Sequence, residues 1–166
     1  LAFKIPPFNH KDQIALSALS QILSGGKSSV LMREIVDKKR LAIEIYAYNM
    51  DLLDEGVFLF IALANPNVNL EKLEKEIMAQ IRFIANGKLK QRDLDKVKLN
   101  MKLSFLEGLQ SSSSVANLFG SYIARGDLQA LLEFEENFES LKLGDIVEVA
   151  KKYFVPSNLS VATLEK

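Results

Sequence analysis

The sequence predicts an α+β domain in which helices cover one mostly antiparallel sheet of about four strands. The first observation is a pair of strand-like runs, 42–50 and 57–64, separated by a segment short enough for a hairpin, Asp51–Gly56. The second is a series of apolar stripes at helical spacing between residues 70 and 154. The second strand run is apolar on both faces, which predicts a central position in the sheet.

The two ends of the sequence supply the third observation. Residues 2–5 alternate as a short strand that Pro6-Pro7 stops, and residues 158–164 read as a closing strand. A strand that returns last can pair beside the first, so both ends are expected in one sheet with helices on one of its faces.

Length and composition are those of one globular domain spanning residues 1–166. Hydrophobic residues make up 48% of the 166 positions and charged residues 25%. Lys+Arg and Asp+Glu both number 21, so no net field favours nucleic acid or an anionic membrane. No apolar run approaches a membrane span. The chain has no cysteine, which excludes disulfides, thiolate nucleophiles and Cys-ligated zinc. Its opening, Leu-Ala-Phe-Lys-Ile-Pro, is interpreted as belonging to a fragment or processed piece.

The first helix and the glycine loop after it follow from local signals. Asp12 is expected to cap a helix that runs to the loop Ser24-Gly25-Gly26-Lys27. Ser28 or Ser29 is expected to cap the next helix, which buries Leu31 and Ile35.

From residue 42 the side chains follow the two-residue repeat of a β-strand, so alternate residues are expected on opposite faces of the first long strand. The predicted faces are Ala42, Glu44, Tyr46, Tyr48 and Met50 on one side, and Ile43, Ile45, Ala47 and Asn49 on the other.

The later helices have recognisable boundaries. The clearest stripe is closed by Gly87, and a second helix starts near Arg92. The serine run Ser111–Ser114 is expected to cap a further helix rather than form a linker. Pro156 ends the last helix.

The ordered set of these segments resembles the second domain of the insulinase-like, inverted-zinc-motif metallopeptidases (the M16 family), which includes the mitochondrial processing peptidases. The family counterpart typically reads L-G-G-G-x-S-S-R-L-Y-x-x-L-R-E-K-x-G-L-A-Y, and Leu23–Met32 and Asp37–Ala42 follow its order and spacing. The resemblance also covers Ala2–Pro6, Asp145–Phe154 and 158–164, and so nearly the whole chain.

The resemblance also implies a role for two positions that this chain fills differently. In the second domain of the family, an arginine and, seven residues later, a tyrosine reach across to the zinc-bearing domain and stabilise charge on the scissile carbonyl. Here these positions hold Val36 and Ile43, neither of which can donate a hydrogen bond. No catalytic residue is therefore predicted. Arg33, Tyr46 and Tyr48 are the candidates for lining a substrate cleft.

No metal site is predicted in this chain. The inverted zinc motif H-x-x-E-H needs two histidines one helical turn apart, whereas the sequence has a single histidine, His10, which is expected to be a solvated loop residue. If the parent protein is active, the resemblance implies zinc in an N-terminal domain outside this chain.

The chain is interpreted as the C-terminal, non-zinc-binding domain of an M16-type metallopeptidase, inactive alone, which forms the wall of a chamber around an extended peptide. Its expected partners are the N-terminal domain of the parent, a second half from the same or another chain, and the peptide. Two alternatives stay open: a domain of a non-catalytic structural subunit of the same family, and a free-standing interaction module.

Overall fold

The computed structural model describes residues 1–164, which form a four-stranded antiparallel sheet in the order β2-β3-β1-β4 with helices against one face. The strands are β1 (Ala2–Ile5), β2 (Ala42–Met50), β3 (Gly56–Ala64) and β4 (Leu159–Ser160). This confirms the predicted fold class, the hairpin and the central position of β3. β4 is much shorter than the predicted strand 158–164: it pairs with β1 only at Phe3 and Ala2, and Ala2 is the first residue of β1.

Helices make up most of the rest of the described chain. Their bounds are α1 (Gln13–Ser24), α2 (Leu70–Ala85), α3 (Gln91–Glu107), α4 (Ser112–Ala124), α5 (Gln129–Leu132), α6 (Phe134–Ser140) and α7 (Leu143–Tyr153), with a π-helical segment at Met32–Lys38 and a 3₁₀ turn at Pro156–Asn158. α2 ends close to Gly87 and α3 begins close to Arg92, as expected from the sequence. The predicted helix after the glycine loop is largely π-helical, with Lys39 N–H donating to Glu34 O.

The core lies between the covered sheet face and α1, α2 and α7. Four phenylalanines from β1, β3 and the end of α7 pack together there, with contacting ring centroids 4.9–6.0 Å apart: Phe3, Phe58, Phe60 and Phe154. All of these ring pairs are edge to face except Phe58–Phe60, which is tilted at 43°. Leu31 and Ile35 of the π-helical region are fully buried, as predicted. This cluster fixes which face of the sheet is covered, and therefore which is open.

Two of the predicted helix caps are wrong and one is confirmed. Asp12 precedes α1, but its carboxylate accepts from Lys152 and Tyr153 of α7 instead of from the helix. Ser28 Oγ contacts Lys96, and the buried Ser29 Oγ has no hydrogen-bond partner within residues 1–164. Ser111 Oγ accepts from Ser114 N–H at 3.0 Å and caps α4 as expected.

β2 is one of the two edge strands of the sheet, and side chains of α1 contact it. Ser24 Oγ accepts from Ala47 N–H at 2.9 Å and lies 3.0 Å from Ala47 O. Asn49 Nδ2 donates to Gln13 Oε1 and Ser17 Oγ. Strand edges with free backbone groups invite pairing with other chains, so the contact of Ser24 with the backbone of Ala47 protects this part of β2.

Candidate functional site

The candidate site is the face of the β2–β3 hairpin that the helices of the described chain leave uncovered, here called the open face. Large side chains from both strands project from it, each between 52% and 57% exposed: Ile43, Tyr46, Tyr48, Ile61 and Leu63. On β3, Phe58 and Phe60 point to the opposite face from Ile61 and Leu63 and are buried against the core. Successive side chains of a strand point to opposite faces of the sheet. The apolar residues of β3 are therefore divided between the covered face and the open face.

A β-bulge near the start of β2 changes the predicted faces. Ala42 pairs with Ala64 and Glu44 pairs with Leu63, so Ile43 is the extra residue. As a result Ala42 is buried while Ile43 is exposed together with Tyr46 and Tyr48. The strict alternation expected for this strand is wrong for Ala42 and Ile43. The inference that Tyr46 faces away from residue 43 is wrong for the same reason.

Of the two positions at which the sequence resemblance predicts the family's arginine and tyrosine, Ile43 lies on the open face. Val36 lies in the π-helical segment and is half-buried against the core. The two aliphatic side chains can contribute apolar contact and no hydrogen bond.

The candidate Arg33 is held by its own helix. Its Nε donates to Glu34 Oε1 at 3.0 Å, and Lys38 Nζ donates to the same oxygen at 2.7 Å. The hydrogen bonds from Lys38 and from Arg33 lower the pKa of the Glu34 carboxyl. The Arg33 guanidinium therefore lies at the exposed surface, partly neutralised by a neighbouring carboxylate.

The candidate tyrosines differ in their hydrogen bonding. Tyr46 donates its hydroxyl proton to Glu44 Oε2 at 2.7 Å, and this hydrogen bond raises the pKa of Tyr46. Both residues lie on the open face, where they form a polar pair beside apolar neighbours. Tyr48 presents its exposed ring on the same face. The structure thus brings Ile43, Tyr46 and Tyr48 together, while Arg33 pairs elsewhere.

The residues present do not fit a zinc site. Within residues 1–164, no three His, Cys, Asp or Glu side chains lie close enough to hold a metal. His10 Nδ1 accepts from the backbone N–H of Asp12 at 3.1 Å, which uses one of its ring nitrogens. The same part of the chain contains no helix long and apolar enough to cross a membrane.

Sequence reasoning missed a charged cluster that joins the two ends of the fold. Asp12 Oδ2 accepts from Lys152 Nζ and from the Tyr153 hydroxyl, both at 2.7 Å. Burial alone would raise the pKa of Asp12, but these hydrogen bonds outweigh it and hold the pKa below its ordinary value. The hydrogen bond to Asp12 also raises the pKa of Lys152. No local pattern links residues 140 positions apart, so only the fold reveals the pair.

Comparison with known proteins agrees with this architecture. The family model for the peptidase M16 inactive domain matches residues 1–101. The chain belongs to this family. This M16 inactive domain is 51% identical to the zinc protease PqqE of Helicobacter pylori. The matched region covers 93% of this chain and 35% of PqqE. The domain is 23% identical to a probable mitochondrial-processing peptidase subunit alpha-2 of Arabidopsis thaliana, over 98% of this chain and 35% of that one.

A solved structure gives the same result. A protease from Helicobacter pylori superimposes with a TM-score of 0.91 at 49% identity, covering 95% of this M16 domain and 38% of that chain. The resemblance to M16 second domains is therefore confirmed. The chain spans about a third of the length of the curated relatives that it matches.

Proposed function

We propose that this chain is the C-terminal, non-zinc-binding domain of a zinc metallopeptidase, and that its open face forms part of the wall of a chamber enclosing an extended peptide. The observation that carries the proposal is the open face itself. Soluble proteins rarely leave several adjacent large apolar side chains exposed unless the surface contacts another molecule.

The composition of the open face suits an extended peptide. Ile43, Ile61 and Leu63 offer apolar contact of little directional preference, which accommodates varied side chains. Tyr46 and Tyr48 add rings with polar ends, and the Tyr46–Glu44 pair supplies a carboxylate oxygen that can accept from a peptide N–H. Such a surface excludes water and positions a substrate without itself carrying out chemistry.

The zinc is proposed to lie in an N-terminal domain of the parent chain, because the residues of this chain do not form a metal site. A second half, supplied by the same chain or by another, would close the chamber. Since the sequence resemblance places Val36 and Ile43 at the positions of the family's polar pair, the charge on the scissile carbonyl would be stabilised by residues of another domain or chain.

The test is peptide cleavage by the full-length parent with Tyr48→Ala on the open face and Leu103→Ala as the matched control. Leu103 is 49% exposed on α3, on the helical side of the domain. We expect Tyr48→Ala to raise KM about 3–10-fold, in line with the loss of about 1 kcal/mol of aromatic contact, at unchanged Tm. Equal effects of the two substitutions on KM would contradict the proposed role of the open face.

A second candidate function is that of a domain in a non-catalytic structural subunit of this family. The aliphatic residues Val36 and Ile43 favour it, because neither can donate a hydrogen bond to a substrate. The region of the parent that precedes Leu1 decides between them. An intact H-x-x-E-H motif supports the peptidase, and zinc analysis of the full-length protein should then give about one ion per chain. Absence of both the motif and the metal would support the structural subunit.

A further inference from the structure

A cleft of about 490 Å³ lies beside the edge strand β2, bounded by side chains of α1, α3, α4 and α6. It is here called the α4 cleft. Pockets that bind small molecules commonly have volumes of about 300–1,000 Å³, so the α4 cleft is large enough for a small organic ligand. Of the large side chains of the open face, only Tyr48 also lines it.

The side of the cleft formed by α1 and β2 is polar. Ser17, Ser20 and Ser24 of α1 line it together with Asn49 of β2. The Asn49 amide is held in place, because its Nδ2 donates to Gln13 Oε1 at 3.0 Å and to Ser17 Oγ at 2.9 Å. Its Oδ1 is buried, and no donor within residues 1–164 reaches it. A buried acceptor without a donor is unfavourable, so an N–H or O–H group of a ligand would be stabilised there.

The side formed by α3, α4 and α6 is mainly apolar. Met101 and Phe105 of α3 line it with Leu118 of α4 and Phe134 of α6. The Phe105 and Phe134 rings stack with their centroids 5.4 Å apart. Aromatic rings bind other rings well in stacked or edge-to-face arrangements. This side therefore suits the aromatic body of a ligand whose polar groups contact the serines and Asn49.

The α4 cleft contains no ionised side chain among the described residues that line it, which are aliphatic, aromatic, hydroxyl or amide groups. A charged ligand would lose part of its hydration there without gaining an ion pair, which is unfavourable. The lining therefore favours an uncharged ligand over an anion or a cation.

α4 is the wall of the cleft that can move most readily, because none of its residues is fully buried. Asn49 Oδ1 is closed to solvent, so a ligand donor reaches it only when the side chains that line the cleft separate. Outward movement of α4 can provide that opening, and contact of a bound ligand with Leu118 would hold α4 in place.

We propose that the α4 cleft binds a small uncharged molecule with an aromatic body and at least one amide or hydroxyl group, and that α4 closes over it. This site is additional to the chamber-wall role of the open face. It does not depend on the presence of zinc or on peptide cleavage by the parent protein.

The test titrates the 166-residue chain, which has a core of its own, with N-acetyl-L-phenylalanine amide at pH 6 and follows backbone amides by NMR. We expect saturable shifts in α1, α3 and α4 with a Kd of about 1 mM, the affinity reached by ligands of this size. At ten times the Kd, amide exchange in α4 should slow about 10-fold, because the ligand binds only the closed form.

Two charged analogues test the preference for an uncharged ligand. N-acetyl-L-phenylalanine carries one negative charge at pH 6 and L-phenylalanine amide carries one positive charge, while both keep the ring. Each should bind about 10-fold more weakly than the uncharged probe, because the cleft offers no ion pair.

A matched pair of substitutions locates the site. Ser104 lines the cleft and Ser113 does not, although both are exposed. We expect Ser104→Trp to fill the cleft and abolish the shifts, and Ser113→Trp to leave the Kd within about 2-fold. Asn100→Trp, one turn earlier on α3, is a second blocking variant if Ser104→Trp does not fold.

Three results would overturn the inference: no saturable shifts with the uncharged probe, equal Kd values for the charged and uncharged probes, or shifts that persist unchanged in a folded blocking variant. Persisting shifts centred on Ile43 and Ile61 would assign the probe to the open face instead. None of these measurements involves peptide cleavage, so failure here is distinguishable from failure of the chamber-wall proposal.

Discussion

At the scale of single residues, the most informative position is Ile43. The bulge in β2 turns its side chain out onto the open face, whereas Ile45, two residues later, is 1% exposed against the core. The two isoleucines therefore offer a matched pair on one strand, identical in chemistry and opposite in environment.

Replacing Ile43 by tyrosine restores the residue type that the family resemblance places there, and should leave the fold intact. We expect Ile43→Tyr to change the free energy of unfolding by less than about 0.5 kcal/mol, since the ring can extend into solvent. Ile45→Tyr should cost about 1–3 kcal/mol or more, because the core has no room for the added volume. Urea denaturation measures both. Equal destabilisation by the two substitutions would mean that Ile43 is buried and that the open face is wrongly assigned.

At the scale of elements, α4 is the least firmly packed helix of the described chain. It has no fully buried residue: Val115, Leu118, Phe119 and Tyr122 of its apolar stripe are half-buried, and Ile123 is exposed. Its C-terminal end is held by Arg125, which donates to Asp51 Oδ2 at 3.0 Å and to Asp51 O at 2.6 Å. The Arg125 guanidinium also stacks over the Phe8 ring at 4.6 Å.

Removing this anchor should loosen α4 alone. We expect Arg125→Ala to speed amide exchange in α4 about 10-fold, while exchange in α1 stays within about 2-fold, because few other contacts hold the helix. Arg92→Ala, at an exposed position in the first turn of α3, is the control and should change neither. Uniform acceleration across the domain would show instead that α4 unfolds only with the whole molecule.

Periodicity predicted most of the elements, because a buried stripe or an alternating strand leaves a pattern in a few consecutive residues. It did not predict the bulge at Ile43, since one inserted residue changes the pairing without changing the composition. It also assigned Asp12 to a helix cap, because its partners Lys152 and Tyr153 become neighbours only after folding. The candidate tyrosines followed from the sequence, whereas the shared face with Ile43 required the structure.

At the scale of the whole molecule, Asp12 joins the start of α1 to the end of α7. The carboxylate is mostly buried and accepts two hydrogen bonds, from Lys152 and Tyr153. Because its pKa is lowered in the folded state, its contribution to stability is fully present above the unfolded pKa of about 4 and is lost as the pH falls through the folded value.

We therefore expect Asp12→Asn to lower the free energy of unfolding by about 1–3 kcal/mol at pH 7, with the difference from the unsubstituted chain shrinking below about pH 4. Asp37→Asn, at an exposed position in the π-helical segment, is the control and should stay within about 0.5 kcal/mol at both pH values. A difference independent of pH would mean that the Asp12 charge is not what joins the two helices.

The central claim is that the open face of the sheet, rather than the helical side, meets the peptide. The most direct measurement places a photoreactive benzophenone side chain at Tyr48 or, separately, at Leu103 in the full-length parent, and maps crosslinks to an unstructured peptide by mass spectrometry. We predict peptide crosslinks from position 48 that an excess of unlabelled peptide abolishes, and only background from position 103. Specific crosslinks from position 103, with none from position 48, would contradict this account.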